Sequence, residues 1–333
     1  MKNEPLGPKE HIESTFALQK TQRAPVGFWY HFLPDAETGD GLKDGSFLER
    51  SVNAHSAFIR DFKPDMVKIM SDGYFFYPTL EPILELNKLE AIITIDSEHP
   101  WISLQVALVK KIKELFPDLP YFYNIFSPST TLKFMLGKNK LNSFLKEDPQ
   151  RVARALTRMA KAQMVLAEKV IEAQIDGIYL SVQNPSLEDF DKDFYQNFIA
   201  PAELMILTAA NKAGGKNILH ICGYGGVRNR LADFANYEAQ AISWAKNVEG
   251  NSFHEMREIF GKKAFIGGFP NTKDSVLHIG NRKEIESFTD KILDEAGNLE
   301  GIIVGADCTV PSDTGLERLN WVRERCVQRG WIN

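Results

Sequence analysis

The sequence predicts an α/β fold: one (β/α)8 TIM-type barrel over residues 1–333 with an N-terminal helical extension. Three observations predict it. Eight short apolar runs recur along the chain, longer amphipathic segments separate them, and polar residues of catalytic type gather where the runs end. That last placement matters because barrels of this kind build their sites at the carboxyl ends of the strands.

The runs cover residues 25–30, 65–71, 121–126, 177–182, 217–222, 241–244, 264–269 and 301–306. They are apolar almost throughout rather than alternating, as parallel strands buried on both faces require. A ninth run, 91–95, is surplus to the count and is assigned to an insertion. Between the runs lie helical patterns. In residues 45–62, Leu48, Val52, Ile59 and Phe62 fall on one stripe. Residues 149–173 begin with Asp148-Pro149, a cap followed by proline at the first helical position. Residues 283–296 and 315–329 repeat the scheme. Such alternation implies right-handed βαβ units. An open doubly wound sheet is the competing arrangement, although no G-x-G-x-x-G follows the first run.

At 44% hydrophobic and 25% charged residues, the chain has the composition to bury a large core. A net charge of −5 argues against a nucleic-acid partner, which calls for a basic stripe. No apolar stretch is long enough for a membrane span, and residues 1–14 lack a signal-peptide core. Three cysteines, Cys222, Cys308 and Cys326, are too few and too dispersed for a disulfide framework, so a cytoplasmic location with reduced thiols is expected. A homodimer is the default expectation for assembly.

The run exits read Trp29-Tyr30-His31, Ser71-Asp72, Gln183-Asn184, His220-Ile221-Cys222, Trp244 and Asp307-Cys308. Residues i and i+2 of a strand share a face, so His220 and Cys222 project toward one spot. Cys308 lies 86 residues later, where a barrel returns the chain to the same mouth. One imidazole and two thiols suit Zn²⁺ and leave a coordination position for substrate. The plain alternative is that H-x-C is coincidental and the cysteines are packing residues. Cys326 falls in the last helical segment and is assigned to the core. His254 and Glu258 lack the second histidine of H-E-x-x-H and are assigned to a solvated helix face. Gly223, Gly225 and Gly226 are read as a plain tight turn, with an anion cradle beside Arg228 and Arg230 as the alternative. Residues 96–99 are assigned to a lid or rim.

In this order, several blocks carry a resemblance. Ala24-Pro25-Val26, Ile69-Met70-Ser71-Asp72, Phe126-Ser127-Pro128-Ser129-Thr130, Gly177-Ile178-Tyr179-Leu180-Ser181 and Gly305-Ala306-Asp307-Cys308-Thr309-Val310-Pro311 are similar to blocks of the uroporphyrinogen decarboxylase superfamily. The superfamily includes zinc- and cobamide-dependent methyltransferases, and its fold is a (β/α)8 barrel. The resemblance implies that Asp72 matches the family's catalytic aspartate. True decarboxylases carry an arginine-rich segment after the first strand. Here no arginine stands between Arg23 and Arg50, Phe134 replaces a tyrosine, and Asp307-Cys308 replaces a histidine. A substrate bearing eight carboxylates needs cationic partners when desolvated. The methyltransferase branch is marked by H-x-C and a distant cysteine, matched by His220, Cys222 and Cys308.

The resemblance therefore implies a zinc-dependent methyltransferase that moves a methyl group from a methylcorrinoid, supplied on a separate protein, to a small thiol. Trp29, Tyr30, Gln183, Trp244 and Asp307 are expected to bind substrate, with Gln183 or Asp307 as the fourth zinc ligand. Phe28, Phe75 and Phe76 are expected to wall the pocket. The competing functions are a tetrapyrrole decarboxylase, for which Lys68, Arg228 and Arg230 are the available cations, and a non-catalytic corrinoid- or ligand-binding barrel.

Overall fold

The computed structural model describes residues 6–297 and 300–330. Its seven strands are β1 (Val67–Ile69), β2 (Tyr121–Phe126), β3 (Gly177–Val182), β4 (Ile218–Ile221), β5 (Ala241–Trp244), β6 (Ala264–Phe269) and β7 (Ile302–Ala306). They form one parallel sheet in sequential order, β1 to β7. Four of the strands have the bounds the apolar runs predict. β1 is shorter at both ends because only Val67–Ile69 find ladder partners on β2.

The first predicted strand, 25–30, is not formed as one. It makes a single parallel bridge, Val26 to Val304. On that side Gly27 N donates to Val304 O at 3.0 Å and Val304 N donates to Pro25 O at 2.8 Å. On the other side a side chain intervenes. Asp65 Oδ2 accepts from Val26 N at 2.7 Å, taking the donor that a neighbouring strand's carbonyl would have used. Arg23 fixes that carboxylate with two bonds of 2.7 and 2.6 Å. The sheet therefore counts seven strands, with residues 25–30 lying extended between its edges.

The sheet curls. Met66 and Met70 beside β1, Phe122, Tyr179, Ile218, Ala241, Ala264, Ile266 and Ile303 pack into one cluster with Trp29, which only a concave face permits. The N-terminal helix, Pro8–Phe16, feeds Ile12 and Phe16 into the same cluster, with Phe16 and Phe122 rings 5.7 Å apart. A larger cluster lies between the convex face and the helices. Its helices include Phe47–Phe62, Pro149–Glu172, Arg282–Ala296 and Leu316–Gln328, each within two residues of its predicted bounds. Asp148 accepts from Arg151 N at 2.9 Å, so the predicted cap is made.

The surplus run at 91–95 adds no strand; a 3₁₀ helix, Leu86–Ala91, precedes it between β1 and β2. Residues 96–99 lead into a helix: His99 Nδ1 accepts from Trp101 N at 3.1 Å and caps Pro100–Leu115. His254 and Glu258 pair at 3.5 Å on an exposed helix face, as expected. Cys326 is buried in the core, and burial pushes its thiol up to about 12. No helix among the described residues is long and apolar enough to cross a membrane.

Candidate metal centre

His220 and Ser243 are register partners on β4 and β5, and both face the concave side. His220 Nδ1 and Ser243 Oγ are 3.0 Å apart, and Tyr179 Oη donates to the same Oγ at 2.8 Å. A metal ion on Nε2 requires the ring proton on Nδ1, where Ser243 Oγ stands ready to accept its hydrogen bond. That Nε2 is buried and has no hydrogen-bond partner. Cys222 continues β4, its N–H donating to Val182 O at 2.9 Å, and Cys308 follows β7. One ligand atom each from His220, Cys222 and Cys308 lie within 4.8 Å of one another. A tetrahedral site with Zn–S near 2.3 Å has edges of roughly 3.5–3.8 Å, about 1 Å inside that limit. The Cys222 thiol beside it lowers Cys308 well below the ordinary thiol range, helped by His220, while Cys222 is raised by the reciprocal effect and by burial. An orphaned imidazole nitrogen beside two thiols, one inclined to ionise, is a donor set that fits a metal ion.

The three residues open onto a cavity of about 230 Å³. Lys68 lies on its floor. The strand segment Met66-Val67-Lys68-Ile69-Met70 alternates faces, and Lys68 takes the concave side with the two methionines. Its Nζ sits 4.0 Å from the centre of the Tyr179 ring and 5.1 Å from that of Trp29. Burial lowers this amine to about 8, against the opposing pull of Cys308, Cys222 and Asp72. Lys133, from the helix Pro128–Leu136, is the second cation on the wall; burial lowers it too. It donates to Gln183 Oε1, and Gln183 Nε2 donates to Tyr224 O at 3.0 Å. Phe134 stacks on Phe75 at 5.5 Å, and both line the cavity with Phe76 and Phe126. A second cavity of about 460 Å³ adjoins the first and shares Thr130, Lys133, Phe134, Gln183 and Tyr224 with it.

The sequence-predicted site residues separate here. His220, Cys222, Cys308 and Gln183 reach the cavity, as do Phe75 and Phe76. Asp72 does not: it is buried outright behind His31. Trp29 lies beneath the cavity, edge-on to Tyr179 at 5.3 Å, and supports Lys68 rather than lining the wall. Tyr30 and Phe28 face the helical layer, where Tyr30 Oη donates to Thr314 O at 2.8 Å. Trp244 also faces outward, against Phe253 at 5.2 Å. Asp307 is tied to Asn247, accepting from its Nδ2 at 2.9 Å; burial raises this carboxyl to about 6. The glycines form the tight turn expected of them, and neither Arg228 nor Arg230 lines the cavity. Arg230 pairs with Asp233 at 3.1 Å, Arg228 donates to Val248 O at 3.1 Å, and Tyr224–Gly226 is a tight turn with Gly225 at φ 73°. His31, Lys133 and Tyr224 were not singled out from the sequence as site residues. A histidine ending an exit block was the available signal for His31, while Lys133 and Tyr224 carry none.

The profile of the uroporphyrinogen decarboxylase (URO-D) family matches residues 67–328. The chain belongs to that family. Among solved structures, this URO-D family member resembles a methyltransferase from Methanosarcina mazei, with a TM-score of 0.70 at 16% identity over 97% of this chain and 99% of that one. It also resembles a B12-independent methionine synthase from Shewanella sp. W3-18-1 solved with selenomethionine, with a TM-score of 0.58 at 12% identity over 92% and 96% of the two chains. An endo-β-mannanase/endo-β-glucanase from Prevotella bryantii aligns with a TM-score of 0.51 at 11% identity, over 93% of this chain and 50% of that one. At such identities these likenesses show fold alone, and one fold serves many chemistries. No curated protein matches the sequence significantly.

Proposed function

We propose that this URO-D family protein is a zinc-dependent methyltransferase that passes a methyl group from a methylcorrinoid to a small thiol. The observation that carries the reading is the convergence of His220, Cys222 and Cys308 at a cavity, with His220 Nε2 left without a hydrogen-bond partner. Zinc held by these residues would supply a Lewis acid that keeps the substrate sulfur deprotonated at neutral pH. The protein's own groups do the remainder. Ser243 fixes the His220 tautomer, a role such partners play in metal sites. Lys68, on the cavity floor, offsets negative charge on the substrate sulfur. Phe75, Phe126 and Phe134 keep water from it. The thiolate sulfur then takes the methyl carbon, and the C–Co electron pair leaves with cobalt as Co(I). The same reading takes residues 25–30 as the eighth stave of a closed (β/α)8 barrel.

The M. mazei neighbour is named a methyltransferase and the Shewanella neighbour a B12-independent methionine synthase; methionine is S-methylated homocysteine, so homocysteine is the thiol to try first. The second reading, a tetrapyrrole decarboxylase, draws on the family's description and on the two lysines of the cavity. Among the described residues, no arginine lines that cavity. The test is thiol-dependent demethylation of methylcobalamin beside an assay for coproporphyrinogen formation, with Cys222→Ser as the control. Zinc and methyl transfer lost together in the variant support the reading; coproporphyrinogen formation, or full retention of both zinc and activity in Cys222→Ser, discards it.

A further inference from the structure

Asp72 is wholly buried and never reaches the cavity; what reaches it is the ring that Asp72 holds. His31 Nδ1 lies 2.9 Å from Asp72 Oδ1, and Phe32 N donates to Asp72 Oδ2 at 2.9 Å. Both carboxylate oxygens are acceptors, so the ring nitrogen facing them must carry the hydrogen. The neutral ring therefore presents an unprotonated Nε2. Its charged neighbours are few. Glu37 Oε1 is 3.8 Å from Nε2 on an exposed side chain, and Glu37 lines the same cavity. The Phe75 ring meets the imidazole edge-on at 5.7 Å. Lys68 and Lys133 stand on other walls, with the His220–Cys222–Cys308 group.

The loop that brings His31 there is fastened from behind. Gly73, next to Asp72, donates to Ala36 O at 2.9 Å and accepts from Gly41 N at 2.9 Å. It has φ 78°, and a Cβ there would meet the Phe47 ring at 2.4 Å, so the close approach needs glycine.

We propose that His31 is the proton carrier of the reaction, positioned by Asp72 and discharged through Glu37. The inference rests on the thiol reading, which frees one proton per turnover. The S–H bond of the substrate breaks, an N–H bond forms at His31 Nε2, and the electron pair stays on sulfur. Sulfur then bonds the methyl carbon while the C–Co pair leaves with cobalt. The imidazolium, with Asp72 at one nitrogen and Glu37 near the other, passes its proton from Nε2 to Glu37 and on to water.

The test uses zinc-loaded protein with methylcobalamin as donor and either homocysteine or 2-mercaptoethanesulfonate as acceptor. His31→Ala should keep its zinc and lose about 10²–10⁴-fold in turnover at neutral pH, the range for a positioned acid–base group. Added imidazole should restore at least part of that loss. His31→Gln, which fills the site without basicity, should be equally slow and insensitive to imidazole, and it stands in if the alanine variant fails to fold. Asp72→Asn should fall between wild type and His31→Ala. Turnover of His31→Ala near that of wild type, or a loss that follows zinc content and ignores imidazole, overturns the proposal. Wild-type protein inactive with both thiols sinks the functional reading itself; an active wild type with an equally active His31→Ala sinks the proton carrier alone.

Discussion

Replacing Ser243 with alanine removes one oxygen and strands two donors. Its Oγ lies 3.0 Å from His220 Nδ1 and 2.8 Å from Tyr179 Oη, and all three residues are buried. Each donor left without a partner costs about 1–3 kcal/mol, so with two of them the metal-free variant should lose roughly 2–6 kcal/mol of stability. The second consequence is separate. Without Ser243 nothing fixes the His220 tautomer, and loss of such a partner typically weakens metal binding by about 10–100-fold, or about 1.4–2.8 kcal/mol. Adding Tyr179→Phe deletes one stranded donor, which should return about 1–3 kcal/mol of stability. It should leave zinc affinity low, because Tyr179 reaches the metal centre only through Ser243. Urea unfolding of apo-protein and competition with a zinc chelator read the two effects independently. Zinc affinity of Ser243→Ala equal to that of wild type would refute the reasoning, as would recovery of zinc affinity in the double variant.

Two further outcomes are expected. Lys68 has its amine lowered from 10.5 to about 8 by burial, so the folded state disfavours its charge. In metal-free protein, stability is lost as pH falls from about 10.5 to about 8, on the order of 3 kcal/mol in total, and Lys68→Met should abolish that slope and be more stable near pH 7. A methionine variant less stable than wild type in urea at pH 7 would contradict this. Asp65→Ala removes both the Arg23 pair and the bond to Val26 N that hold residues 25–30 at the sheet edge. Arg23 is only part-buried, so the loss should fall short of the about 3–5 kcal/mol of a fully buried pair, and a loss below about 1 kcal/mol would mean that the segment contributes little to closure.

Much of this molecule was legible in its sequence because parallel strands announce themselves. The runs at 121–126, 177–182, 241–244 and 264–269 are apolar on both faces, and they appear as β2, β3, β5 and β6 unchanged. The run at 25–30 is just as apolar, but a side chain decided its fate: Asp65 takes the N–H of Val26. Strand parity explains the site in the same way. His220 and Cys222 share a face by spacing, and Cys308 joins them because the sheet curls. Trp244 faces the helices because its neighbour Ser243 faces inward, and adjacent strand residues cannot both do so. Tyr30 stands beside inward-facing Trp29 and points out for the same reason. Asp72 meets the cavity only through His31, a partnership that spans 41 residues and that no local pattern encodes. The lysines were harder. Lys68 is marked by its place inside an apolar strand, whereas Lys133 looks like any helical lysine until the fold turns it toward Gln183.

X-ray absorption at the zinc edge, on protein purified intact and reloaded with zinc, tests the central claim most directly. The account predicts one zinc per chain with two sulfurs near 2.3 Å and one imidazole nitrogen near 2.0 Å, and a third sulfur once homocysteine is added. Protein that takes up no zinc, or a shell of oxygen and nitrogen without sulfur, would contradict it.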